Sequence, residues 1–152
     1  MTPMDWAYAA AFFDGEGCVT VNIAERKTAT QSCVVGARAM NLSLRVANND
    51  PTVPRWFEKN IGGTVRFHSA TRDSYVWIVQ GDLARAVAVK LMKYTKMKKR
   101  QLRLFVQLMD TRQPNLGRGY TTPDSVWRQR EKLISQLRAD PYRRRRGESV
   151  IS

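Results

Sequence analysis

The chain has 152 residues, with 26 Lys and Arg against 13 Asp and Glu, a formal net charge of +13 and a pI near 10.4. That length suits one domain, able to bury about 68–70% of the surface its unfolded form exposes, and 43% hydrophobic residues exclude a simple disordered basic tail. A folded domain with this charge points to nucleic acid or an anionic membrane surface as partner.

Other classes fall away on short segments. The apolar run Trp6–Phe13 is too short to span a bilayer, and Asp5 stands before it without a basic segment, so neither a membrane span nor a secretory signal is expected. Cys18 and Cys33 form no C-x-x-C pair and His68 is the single histidine, so no zinc cluster is expected. Two free thiols suit a reducing, intracellular compartment. The charge is also uneven: 8 basic and 7 acidic residues lie up to Val76, and 18 and 6 follow from Trp77 onward. The second half holds two dense runs, Lys96–Arg100 and Arg143–Arg146. Each alone reads as a solvated face; together they favour an electrostatic partner.

In chain order, Pro3 and Asp5 open a helix over 4–15, which stops at Gly15-Glu16-Gly17. Residues 18–24 alternate, with Val19, Val21 and Ile23 inward and Thr20 and Asn22 outward. Residues 38–47 alternate too, with Met40, Leu42, Leu44 and Val46 inward and Asn41, Ser43 and Arg45 outward. Residues 25–37 between them read as a long hairpin loop. Asn48-Asn49-Asp50-Pro51 turns into a helix over 51–60, ended by Ile61-Gly62-Gly63. Thr64–Ser69 and Ser74–Val79 form a second hairpin around Ala70–Asp73. Gly81-Asp82 opens a helix with Leu83, Val87 and Leu91 on one face. Another spans 98–110, with Leu102, Phe105, Val106 and Met109 at helical spacing. After a Gly/Pro/Thr-rich loop, Thr122-Pro123-Asp124 starts a last helix to about Arg138. The reading is an α+β fold in the order αββαββαα, one domain over 1–139 and a basic, disordered tail over 140–152.

Both hairpins carry a polar or basic outer face: Thr20, Asn22, Arg26, Asn41, Ser43, Arg45, Arg66 and His68. Such a face can simply meet solvent. It can also lie in a DNA groove, since Arg pairs with guanine, Asn with adenine, and Thr or Ser with either.

The segment Ala7–Val19, AYAAAFFDGEGCV, is the most informative. Ala7, Ala11 and Gly15 fall at i, i+4 and i+8, a spacing that lets two helix backbones approach, within one chain or between two. Asp14 and Glu16 sit at the helix end, where unpaired carbonyls and the negative end of the dipole disfavour acids unless a cation joins them. Carboxylate and carbonyl together offer the hard oxygens that Mg²⁺ takes. As single residues, Asp14 reads as a turn or cap and Glu16 as an exposed turn residue.

Ala9–Gly17, AAAFFDGEG, resembles the LAGLIDADG signature of homing endonucleases, with Glu16 at the second, metal-binding acid. The resemblance extends over about 5–138, through Asn48–Asp50 with Trp56-Phe57, the Trp77 strand, Lys93–Leu104 and Thr122–Arg130. It implies a saddle-shaped antiparallel sheet as a DNA-binding surface. One signature per chain implies a homodimer joined through the motif helices at Ala7, Ala11, Phe12 and Gly15. Glu16 and the Gly15 carbonyl are implied to hold Mg²⁺, with Ca²⁺ or Mn²⁺ as alternatives. Lys98, or Lys96 in a shifted register, matches the active-site lysine, and Asn48 a solvent-orienting residue. A basic residue frequent a turn later is replaced by Thr52, with Arg45 or Arg55 as substitutes. The activity implied is Mg²⁺-dependent double-strand cleavage of DNA at a long, pseudo-palindromic target, leaving 3′ overhangs. The rival readings are an RNA-binding intron maturase, a cleavage-dead DNA-binding protein on the same fold, and a basic RNA binder of another class. The setting implied is a bacterial or phage cytoplasm or an organelle.

Overall fold

A computed structural model describes residues 1–25, 37–69, 73–113 and 121–140. Helix α1 (Pro3–Glu16) starts where the sequence dictates: Thr2 and Asp5 form a capping box, with Thr2 N–H donating to Asp5 Oδ2 at 2.7 Å, and Pro3 fills the first turn. Strands β1 (Gly17–Glu25) and β2 (Arg38–Asn48) follow. Two Asx turns lead into α2 (Thr52–Ile61): Asn48 Oδ1 accepts from Asp50 N–H at 2.9 Å, and Asp50 Oδ1 from Thr52 N–H at 2.7 Å. Then come β3 (Thr64–His68), β4 (Ser74–Gln80), α3 (Gly81–Leu91), α4 (Lys99–Asp110) and α5 (Asp124–Arg138).

The four strands form one antiparallel sheet in the order β1-β2-β4-β3. Gly17 pairs with Val46, and the ladder runs out to Glu25 opposite Arg38. Asn48 pairs with Tyr75, Phe67 with Tyr75 and His68 with Ser74, so the β3–β4 turn lies at the same end as the start of β1. Val19, Val21, Leu42, Leu44, Val46, Trp77 and Val79 bury the inner face. Ala9, Ala10, Phe13, Phe57, Val87, Leu91, Leu102 and Phe105 complete that core from the helices, and Ile134 and Leu137 bring α5 onto it. The α2–β3 turn is tight: Gly63 has φ +91, a Cβ there would meet the Ile78 carbonyl oxygen at 2.6 Å, and Trp77 Nε1 donates to the Gly62 carbonyl at 2.7 Å. No described helix is long and apolar enough to cross a membrane.

The order is αββαββααα: all three helices expected after the second hairpin are present, one more than the string αββαββαα carries. Four other sequence-based expectations need correction. Ile23 is 42% exposed although parity turns it to the inner face; there its partner Met40 is the residue packed against the core. Ser43 is buried, because β2 is central, Ser43 sits between Thr20 and Gln80 in register, and Arg45 lies over it. Leu83 is exposed; α3 packs through Ala84, Val87, Ala88 and Leu91. Asp140, placed in the tail, is buried and accepts from Gln101 Nε2 at 3.0 Å and Arg100 Nη1 at 3.3 Å. The hairpin loop apart from its ends, Arg26, the segment 70–72 and the rest of the tail lie outside the described residues.

Candidate functional site

The end of α1 is built by residues more than 80 positions away. Between α3 and α4 the chain makes a turn over 95–98, and Asp14 receives it. Its carboxylate accepts from Thr95 Oγ1, from Lys96 N–H at 2.7 Å, from Met97 N–H at 3.3 Å and from Lys98 N–H at 3.0 Å. Partial burial opposes ionisation of Asp14, but the Thr95 hydroxyl and these three N–H groups outweigh it and hold the carboxyl below its ordinary value. The same carboxylate stands at the N-terminus of α4, where negative charge is favoured.

The turn delivers Lys98, which is buried. Its Nζ donates to the Phe13 carbonyl at 2.9 Å and the Gly17 carbonyl at 2.5 Å, and lies 5.7 Å from the centre of the Phe13 ring. A cation there answers the negative end of the α1 dipole. Phe13 and Gly17 bracket Gly15 and Glu16, so one short segment gathers the Lys98 ammonium, backbone carbonyls and the exposed Glu16 carboxylate. Gly17 is needed for this closure: a Cβ there would fall 2.3 Å from the Phe13 ring. Lys96 contributes its backbone to Asp14 while its side chain is exposed; of the two lysines it is Lys98 whose ammonium lies at the helix end.

Asn48 reaches the same end of the sheet, two residues past Val46, the partner of Gly17; its side-chain oxygen is engaged in the turn to Asp50. Thr52 does not. It lies with Met4, Asp5 and Tyr8 along the N-terminal half of α1, and Tyr8 is roughly 12 Å of helix rise from Glu16. Arg55 is also elsewhere, exposed on α2 and ion-paired with Glu58 at 3.0 Å. Arg45 is closer: it pairs in register with Cys18, and its Nε donates to Ser43 Oγ at 3.2 Å, which fixes its direction across the outer face.

That outer face carries Thr20, Asn22, Asn41, Arg45, Arg66 and His68 on one side of the sheet, with Asn22 directly opposite Asn41 and Thr20 opposite the buried Ser43. Sequence reasoning missed its β4 row, Ser74, Val76, Ile78 and Gln80. The signal was present, since Tyr75, Trp77 and Val79 alternate with them, but Val76 and Ile78 hide the alternation. Arg45, Arg66, Thr64, Ile78 and Gln80 line a shallow recess of about 200 Å³ there.

The exposed side of α1 carries Met4, Ala7, Tyr8, Ala11 and Gly15. Among the described residues, apart from its neighbours and its own helix backbone, nothing lies within 4 Å of a Cβ placed on Gly15. Phe12 turns partly inward, its ring 6.2 Å from that of Phe57. Among the described residues no three His, Cys, Asp or Glu side chains form a group able to hold a metal ion. The donors at the end of α1 are hard oxygens, of the kind Mg²⁺ and Ca²⁺ accept. Among the described residues one chain supplies one exposed carboxylate there, Glu16, and Asp14 is taken up by the 95–98 turn.

No protein-family model and no curated protein sequence matches the chain. Solved structures do. The homing endonuclease I-CvuI, in complex with the I-CreI target in 2 mM Mg with the DNA not cleaved, is 20% identical at a TM-score of 0.74, covering 94% of this chain and 85% of that one. The archaeal intron-encoded homing endonuclease I-Vdi141I, complexed with DNA, is 17% identical at 0.70, covering 96% and 89%. The homing endonuclease I-TnaI is 18% identical at 0.65, covering 93% and 91%. The chain has the LAGLIDADG homing endonuclease fold.

Proposed function

We propose that this chain is a site-specific DNA endonuclease that works as a homodimer and cuts both strands of a long, pseudo-palindromic target, leaving 3′ overhangs. One observation carries the reading: the 95–98 turn, held by Asp14, delivers the Lys98 ammonium to the end of α1 beside the exposed Glu16, at the margin of a polar sheet face. The solved structures of the same fold contain DNA in I-CvuI and I-Vdi141I, and the +13 charge suits a polyanion.

Each residue has a task in that reaction. The outer face supplies Arg45 and Arg66 for guanine edges or phosphates and Asn22 and Asn41 for adenine edges. The Lys98 ammonium offsets charge developing on the phosphate, and Asn48 orients solvent at the sheet's end. Glu16 and the Gly15 carbonyl are the donors for Mg²⁺, which when bound supplies charge stabilisation at the phosphate and activation of water; Ca²⁺ or Mn²⁺ fits the same oxygens. A single carboxylate per chain makes half of such a site, and a second copy brings the other. The seam for that copy is the exposed side of α1. A helix apolar all round is ordinarily covered all round, yet Met4 is 81% and Tyr8 46% exposed in the single chain. Met4, Ala7, Tyr8, Ala11 and Gly15 share that exposed side, with room at Gly15 for a second helix backbone.

The test is cleavage of DNA spanning the gene's own insertion point with the insert removed, in Mg²⁺ and, as a binding control, in Ca²⁺. A discrete double-strand cut in Mg²⁺, lost in Glu16→Gln without loss of binding, is the expected result. Binding in both ions without a cut makes the chain a DNA-binding regulator; RNA binding alone makes it a maturase-like protein.

A further inference from the structure

Helix α5 is tied to the first hairpin by one arginine. Arg38 opens β2 opposite Glu25, the last residue of β1. Its place in the alternation, with Leu42, Leu44 and Val46, sends it to the inner side of the sheet, away from the outer face. There its Nη1 donates to Glu131 Oε1 at 3.0 Å, its Nη2 lies 3.9 Å from Asp124, and its guanidinium sits 4.4 Å from the centre of the Trp127 ring. Trp127 is 3% exposed and takes a second guanidinium, Arg130, at 4.7 Å. Arg130 is itself buried and anchored to the end of α4, donating to Thr111 Oγ1 at 3.0 Å and to the Thr111 carbonyl at 2.9 Å. A continuous line of contacts therefore runs from α4 through Arg130, Trp127 and Arg38 to the hairpin. The hairpin has little else on this side: Ile23 and Glu25 are exposed and only Met40, the partner of Ile23, is partly buried against the core, so apolar packing constrains the angle of this part of the ladder weakly.

We propose that Arg38, seated on Trp127 and Glu131, is a strut by which α5 sets the attitude of the β1–β2 hairpin, making Arg38 and Glu131 positioning residues for recognition by Asn22, Asn41 and the rest of the outer face. The functional part rests on the DNA-binding reading above; the mechanical part does not. Surface ion pairs contribute little to global stability, so the effect falls on the hairpin's orientation. Asn41 is three residues from Arg38 along the strand, about 10 Å, so a loosened base displaces it directly.

The sign of one substitution discriminates. Glu131→Gln removes a negative charge from a protein that binds a polyanion, and charge alone makes it bind DNA more tightly. A strut makes it bind more weakly. Arg38→Gln, Glu131→Gln and the double variant are compared in the full chain, by amide hydrogen exchange over residues 18–25 and 38–45 without DNA, and by DNA affinity and cleavage rate at saturating DNA. The expected results are faster exchange in both single variants, a Kd raised by roughly 3–10-fold in each, and a double variant no worse than either single one, as coupled residues behave. The cleavage rate at saturation stays within about twofold, since the end of α1 is untouched. Unchanged exchange overturns the strut, as does tighter binding by Glu131→Gln while Arg38→Gln weakens, which would make Arg38 a direct phosphate contact. If the native chain binds no DNA, the proposed function fails, and the exchange measurement still decides the strut.

Discussion

Ala9 and Ala10 on α1 are fully buried, whereas Ala7 and Ala11, less than a turn away on the same helix, are exposed. Two further residues repeat the contrast: Asp14 is bonded to the 95–98 turn, and Glu16, two positions on, is exposed. Residue type does not distinguish the members of either pair. What separates them is which side of the helix meets α3 and the 95–98 turn and which side is left over. One side of α1 serves the fold of a single chain, and on the proposed reading the other serves a second chain and a substrate. Inner-side substitutions therefore act on stability, and outer-side ones on assembly and reaction.

The acids give the largest separation. Glu16→Gln is expected to lower cleavage by roughly 10³-fold or more, as loss of a group acting on transition-state charge does, while the melting temperature stays that of the native chain. Asp14→Asn is expected to do the reverse first. It keeps one acceptor but turns an amide toward N–H donors, costing about 2–3 kcal/mol in urea unfolding. Its cleavage rate at saturation falls as well, because the turn that carries Lys98 loosens. Equal stability of the two variants would end the comparison.

The alanines come next. Leucine at the fully buried Ala10 overfills the contact beneath α1 and is expected to cost about 1–3 kcal/mol. Ala11 is exposed, so leucine there extends away from the core of the single chain. It is expected to leave the protomer's melting unchanged and to shift sedimentation from dimer to monomer. A stable dimer of Ala11→Leu would move the seam off this helix. The glycines refine the same contrast. Gly17→Ala drives a Cβ to 2.3 Å from the Phe13 ring and is expected to destabilise, with Phe13 forced to shift. Gly15→Ala has open space within the chain and is expected to stabilise the protomer by roughly 0.5–1 kcal/mol through helix propensity, while weakening association. Opposite signs on stability and assembly at one residue are hard to obtain unless a second backbone approaches there.

These pairs also mark what was legible in the sequence. Local rules place α1, since Thr2, Pro3 and Asp5 are neighbours and the cap is a short-range device. Alternation places β1 and β2. What it cannot supply is neighbours from other strands: Ser43 reads as outward by parity and is outward, but Thr20, Gln80 and Arg45 close over it. Ile23 fails for the opposite reason, since parity sends it inward yet the cover there goes to its partner Met40. The resemblance named Glu16 and Lys98, and the structure places the Lys98 ammonium on the carbonyls of Phe13 and Gly17, on either side of Glu16. The role of Asp14 was not legible, because its four donors lie more than 80 residues away and no periodicity encodes a backbone turn closing on a carboxylate. Trp127 and Arg38 are equally distant from each other in sequence, and nothing in either segment announces the contact.

The smallest expected effect is the dependence of stability on pH at Asp14. Its carboxyl is held below the ordinary value in the folded chain, where the Thr95 hydroxyl and the N–H groups of Lys96, Lys98 and Met97 together outweigh the cost of its burial. A depressed carboxyl stabilises the fold at pH values above that of the unfolded chain, and the contribution is lost as pH falls through the folded value. From pH 8 to 5 it is constant; below about pH 4, where unfolded aspartates take up protons, it declines. In Asp14→Asn the group cannot titrate, so the acid limb of stability against pH is expected to be shallower than in the native chain, although the variant is less stable at every pH above it. Asp5, Asp50 and Glu58 are also lowered, by local hydrogen bonds that the substitution leaves intact, and they contribute equally to both curves. The difference between the two curves therefore isolates Asp14. Parallel acid limbs would mean that the 95–98 turn is held by Thr95 and the α3–α4 packing, with the carboxylate accepting bonds it does not need to be charged to make.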